Sequence, residues 1–135
     1  GQLGIGNKTS YSSPKQIPGS TWSGASAKIS GMNSAGFAIK TDGTLWAWGA
    51  GADGKLAQNN VTEYSSPRQI PGTTWSKVGS RGSSAFAIKT DGTAWAWGKN
   101  DNYGQLGHNN RTSYSSPIQI PVGTMQCHCL MLLRQ

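Results

Sequence analysis

The sequence predicts an all-β protein assembled from repeated four-stranded antiparallel sheets, and three observations predict it. The first is internal repetition with a period near 50 residues. SerSerPro recurs at 12–14, 65–67 and 115–117, and FAIKTDGT recurs at 37–44 and 86–93. WAWG follows at 46–49 and 95–98, while GQLG stands at 1–4 and 104–107 with a degenerate copy, GKLA, at 54–57. A fixed period of this length marks a repeat architecture, each repeat being one supersecondary unit that needs its neighbours. The second observation is short runs of Ala, Ile, Phe, Trp and Thr bounded by Gly, Pro, Asn and Asp, the signature of strands and turns. The third is composition: 19 Gly and 6 Trp in 135 residues, with only 13% charged. That charge is about half the usual share and argues against a solvated disordered chain.

The elements follow in chain order. Residues 1–20 read as the end of a preceding repeat, 21–73 and 74–124 as two full repeats, and 125–135 as a tail outside the pattern. Within each repeat, FAIK and WAWG flank Asp-Gly and predict a hairpin closed by a two-residue turn at Asp42-Gly43 and again at Asp91-Gly92, because Asp-Gly supplies the positive φ such a turn needs. Pairing outward from that turn sets Thr41 opposite Thr44, Ile39 opposite Trp46 and Phe37 opposite Trp48. One face is then bulky (Phe37, Ile39, Trp46, Trp48) and the other small (Ala38, Ala47). The second repeat copies this with Phe86, Ile88, Trp95 and Trp97 against Ala87 and Ala96. TrpSerLysVal supplies a third strand and ProArgGlnIle a fourth. A bulky face over a small one suits stacking of successive sheets, each aromatic being worth up to about 4–6 kcal/mol by buried area. The eight residues Phe37, Ile39, Trp46, Trp48, Phe86, Ile88, Trp95 and Trp97 are therefore the expected packing set between repeats. Stacked four-stranded sheets of this kind are the blades of a β-propeller.

The string SSPxQIPGxTW…FAIKTDGTxWAWGxNxxGQLG resembles the regulator of chromosome condensation repeat family, from residue 1 to about 124. The near-identity of the repeats is most similar to bacterial and phage members. The resemblance implies a closed propeller, usually of seven blades. This chain carries about two and a half repeats, so it is expected to be part of a longer propeller or to associate with copies of itself. Known members include an exchange factor for the small GTPase Ran, a plant UV-B photoreceptor and a secreted β-lactamase inhibitor. The photoreceptor's Gly-Trp-Arg-His-Thr segments are absent, and Ala35 and Ser84 stand where eukaryotic members carry a His before the second strand.

Chemistry is sparse. Five acids in the whole chain leave no paired carboxylates. The glycine-rich run from Gly79 to Ser84 lacks the Lys-Ser/Thr ending of a phosphate loop. His108 has neither a nucleophile nor an acid assigned to it and reads as a solvated loop residue. No enzyme, catalytic residue, cofactor or metal site is expected. Cys127, His128 and Cys129 offer three ligands at poor spacing, short of a closed zinc site. No apolar run reaches the length of a membrane helix, so membrane insertion is not expected. The net charge of +7 is carried by scattered Lys and Arg. Lys28 with Lys77, and Lys40 with Lys89, recur at equivalent positions, but no basic run exists and nucleic acid is not the expected partner.

The candidate binding surface is the set of rim loops GQLGIGNKTSY, GKLAQNNVTEY and GQLGHNNRTSY, with Asn7, Tyr11, Asn60, Tyr64, His108, Asn110 and Tyr114. Asn7, Asn60 and Asn110 each begin an Asn-x-Thr glycan acceptor pattern, so a glycan is an alternative occupant and an extracellular or surface setting is weakly favoured. The function expected is a non-enzymatic protein-binding or structural module, its partner another protein or a copy of itself. The alternatives are a self-assembling fibre or virion surface component and an exchange factor for a small GTPase.

Overall fold

The computed structural model describes residues 1–100 and 104–121. The predicted tail with Cys127, His128 and Cys129 lies outside the described residues. Among the described residues eight strands form two four-stranded antiparallel sheets. The first is β1 (Ile29–Met32), β2 (Ala35–Ile39), β3 (Leu45–Gly49) and β4 (Tyr64–Ile70); the second is β5 (Trp75–Arg81), β6 (Ser84–Lys89), β7 (Ala94–Gly98) and β8 (Tyr114–Gln119). Strands are hydrogen-bonded in sequence order in both. The repeats read from the sequence thus fold as blades, and the glycine-rich run from Gly79 onward is the β5–β6 hairpin.

The predicted register is corrected by one residue. Ile39 pairs with Leu45, Ala38 with Trp46, Phe37 with Ala47 and Gly36 with Trp48. β6 and β7 repeat this, with Ala87 opposite Trp95 and Phe86 opposite Ala96. The reason lies in the turn. The Gly43 N–H donates to the Lys40 carbonyl at 3.0 Å and the Lys40 N–H to the Thr44 carbonyl at 2.9 Å. The loop is therefore Thr41-Asp42-Gly43, three residues long, with Gly43 alone at positive φ (86°). A type I turn followed by one left-handed residue gives that geometry. Asp42 stays out of the left-handed region because its carboxylate accepts from the Thr44 N–H at 3.0 Å and the Thr44 hydroxyl at 2.7 Å, an Asx-type contact that closes the loop from within.

A one-residue slip moves side chains to opposite faces. Phe37, Ile39, Leu45 and Ala47 therefore share one face, and Ala38, Trp46 and Trp48 the other. The core lies between the two sheets. Phe37, Ile39, Leu45, Ala47 and Ile70 of the first sheet meet Trp75, Val78, Ala85, Ala87 and Trp97 of the second. The Phe37 and Trp97 rings meet at 6.1 Å and 65°, the edge-on geometry that aromatic pairs favour. Of the expected packing set, Phe37, Ile39, Trp95 and Trp97 lie at this junction. Trp46 and Trp48 instead face away from the second sheet, and Phe86 and Ile88 away from the first.

β1 begins later than its counterpart β5. Trp22 keeps a bridge to Lys40, as Trp75 does to Lys89. The extra residues after Trp22 loop out, and the Ala27 carbonyl accepts from the Val78 N–H of the second sheet at 2.9 Å. β1 and β5 therefore lie side by side, with the Ser30 and Ser80 hydroxyls 2.7 Å apart.

Candidate interaction rim

The β3–β4 and β7–β8 connections emerge at the same end as the β1–β2 and β5–β6 turns. Each is built in the same way as residues 1–10. Gly4, Ala57 and Gly107 occupy equivalent left-handed positions (φ 70°, 58° and 72°), as do Gly6, Asn59 and Asn109 (85°, 59° and 62°). Asn tolerates this conformation better than most residues. One step on, Asn7, Asn60 and Asn110 each accept from the backbone N–H of the Thr two residues later, all at 3.0 Å. Asn60 Nδ2 donates to the Tyr64 hydroxyl at 3.1 Å, and Asn110 Nδ2 to that of Tyr114 at 3.1 Å. The residues singled out from sequence are thus brought together, but in the role of loop braces. In Asn60 and Asn110 the nitrogen that a glycan would occupy is the one that holds the tyrosine.

The tyrosines also carry cations. Lys15 Nζ lies 4.7 Å from the Tyr11 ring centre and the Arg68 guanidinium 4.6 Å from that of Tyr64. Ile118 replaces the cation in the third copy, and His108 packs edge-on to Tyr114 at 5.1 Å instead. His108 is half-buried, not solvated, and its Nε2 lies 3.0 Å from the Ile118 carbonyl. What the loops hold outward is the middle residue of each Asn-x-Thr: Lys8, Val61 and Arg111, all exposed, Val61 at 67%. These three were missed in the sequence, because a position that varies between copies gives no repeat signal. Lys8 forms an ion pair with Glu63.

The loops also cross between sheets. The Asn59 N–H donates to the Ser115 carbonyl of β8 at 2.7 Å, and the Gly6 N–H to the Ser65 carbonyl of β4 at 2.7 Å. Trp97 Nε1 donates to the Lys55 carbonyl and Trp48 Nε1 to the Gln2 carbonyl, both at 2.9 Å. Each loop therefore caps the tryptophan of the following sheet. Asn100, fully buried, anchors the last loop. Its Nδ2 donates to the carbonyls of Asn110 (3.1 Å) and Thr112 (2.9 Å), while its Oδ1 accepts from the Leu106 N–H (2.9 Å).

The opposite end carries the hairpin turns. Lys40 Nζ sits 4.3 Å from the Trp46 ring centre and 5.0 Å from that of Trp22. Lys89 repeats the arrangement over Trp95 and Trp75 at 4.3 and 4.9 Å. These recurring lysines each lie against the tryptophans of their own repeat. Lys28 likewise bonds the Ser76 carbonyl of the neighbouring sheet.

The regulator of chromosome condensation (RCC1) repeat matches residues 42–83 and 91–129, more than half of the chain. The chain belongs to the regulator of chromosome condensation repeat family. Solved structures with the same fold include human WBSCR16, at 20% identity over 69% of this chain and a TM-score of 0.62. Yeast RCC1 (Prp20) bound to Kap60 matches 73% of the chain at 16% identity with a TM-score of 0.63. Prp20p from Saccharomyces cerevisiae, described with its binding properties to Gsp1p and histones, matches 73% at 15% identity and a TM-score of 0.60. The chain covers 24%, 25% and 26% of these three, about a quarter of each, so in this family it is a partial propeller.

Proposed function

We propose that the chain is a non-enzymatic protein-binding module whose partner surface is the loop rim at residues 1–11, 50–63 and 104–113. The observation that carries this reading is the threefold Asn-to-Thr brace at 3.0 Å. It fixes each loop in one shape, so the projecting Lys8, Val61 and Arg111 are presented at little entropic cost on binding. An exposed Val on a rim that also projects Arg111, on a chain of net charge +7, favours a partner with an acidic surface around an apolar patch. The solved relative crystallised with Kap60, and the one described with Gsp1p and histones, support a protein partner as the class.

Site-specific photo-crosslinking tests the surface. A crosslinking side chain at Val61 or Arg111 should capture the same discrete protein in cells, while one at Thr90, on the opposite end, should not. Equal capture from Thr90, or none from either rim position, refutes the reading.

A further inference from the structure

A polar cleft of about 420 Å³ opens between the two sheets at the end opposite the rim. The first repeat lines it with Lys28, Lys40 and Asp42, and the second with Thr73, Thr74 and Thr90. Both walls belong to the two described sheets, so the cleft is whole without a further blade. The walls are tied together at their base. The Trp75 N–H donates to the Gly43 carbonyl at 3.0 Å, and a Cβ at Gly43 would meet the Thr73 carbonyl at 2.4 Å. Only glycine, here at φ 86°, lets the hairpin turn approach the second sheet so closely.

The groups on these walls are mostly hydrogen-bond donors with capacity to spare. Lys40 Nζ lies 4.3 Å from the Trp46 ring centre and 5.0 Å from that of Trp22. That contact with the rings fixes the ammonium and leaves its outward N–H donors free. Lys28 gives one of its three donors to the Ser76 carbonyl. Among the described residues the hydroxyls of Thr41, Thr73, Thr74 and Thr90 have no hydrogen-bond partner. Asp42 is the one acid among the described residues that line the cleft, and its Oδ1 takes both bonds from Thr44. Two ammoniums against one carboxylate leave the cleft positive.

We propose that this cleft binds a phosphate or sulfate oxyanion, with Lys28 and Lys40 supplying the charge and the threonine hydroxyls supplying further donors. A tetrahedral oxyanion accepts from several directions at once, which suits donors on two facing walls, and lysine serves such groups as a point charge. The tied base presets the cleft, so binding orders little of the protein. The volume leaves room for a small molecule carrying the anionic group. The site lies at the other end from the loop rim and does not rest on the rim reading.

Amide NMR titration with inorganic phosphate at constant ionic strength tests the site. Gly43, Thr74 and Thr90 should shift together and saturate in the millimolar range, and inorganic sulfate should do the same. Lys40→Gln should weaken binding about threefold or more, the share expected of one nearby charge in water. Lys89→Gln removes the same charge from the same tryptophan setting outside the cleft and should leave the affinity unchanged. Asp42→Asn keeps the acceptor for Thr44 but removes the opposing charge, so binding should tighten, a gain that a damaged fold could not give. Shifts that never saturate, an equal loss from Lys89→Gln, or no gain from Asp42→Asn overturns the proposal.

Discussion

Asp42 and Asp91 show how much one side chain decides. Each accepts two hydrogen bonds from the Thr two residues on, first from the hydroxyl and then from the backbone N–H, with a Lys nearby. All three favour the carboxylate, and both groups are held below the ordinary aspartate range. A folded pKa below the unfolded one contributes stability that is fully present above the unfolded value, near 3.9, and is lost as pH falls through the folded value. Carbon-detected NMR titration should therefore give midpoints for both residues below that of a free aspartate. Asp91→Asn should flatten part of the acid limb of the stability curve. A midpoint at or above the free value counts against the Asx contact. From sequence the two residues were read correctly as turn formers. The contact partner was not, since Thr44 looked like the first residue of the next strand.

Elements here are only as good as their anchors. β8 and the loop before it are fixed by Asn100, whose buried amide meets three backbone groups. Asn100→Ala would leave the buried Leu106 N–H without a partner and remove the donor that the Asn110 and Thr112 carbonyls share. A buried orphaned donor costs about 1–3 kcal/mol, so a loss of roughly 1–3 kcal/mol in urea unfolding is expected. Hydrogen exchange should quicken at Leu106 and along 104–113 more than in β1–β3. A loss under about 0.5 kcal/mol would show that the loop stands without it. The strands themselves were legible in part: alternation, Asp-Gly and WAWG placed the β2–β3 and β6–β7 hairpins, but the β1–β2 and β5–β6 hairpins were not placed. Their register was not, because a two-residue and a three-residue turn share the same Asp-Gly signal. Only the hydrogen bond from Gly43 to Lys40 distinguishes them.

Among the described residues the two sheets are held to each other by one junction, and that junction is asymmetric. Phe37 and Phe86 are the same residue of two copies, yet Phe37 is fully buried and Phe86 is not. Phe37→Ala should cost about 3–5 kcal/mol, as large-to-small changes in packed cores do. Ile88→Ala, at 43% exposure, should cost under about 1 kcal/mol by its smaller buried area. Urea midpoints measured at low protein concentration test the pair, and equal losses would mean that both faces are covered. The rim loops belong to this scale as well. Their residues were legible as a repeated set, whereas their job as braces was not, since it depends on partners brought together by the fold.

The amino-acid sequence by itself determined the all-β class, the repeat length, the four strands of each blade and the family. All of these follow from local patterns and from copying: alternation makes strands, Asp-Gly makes turns, and near-identical repeats must adopt near-identical folds. Only the tertiary structure decided which side of each sheet is the core, which tryptophans are covered and which rim side chains project. Those outcomes depend on a single residue of register and on what stands beside each copy. Identical strings carry no information about their neighbours, so Trp48 and Trp97 read alike and yet face different surroundings.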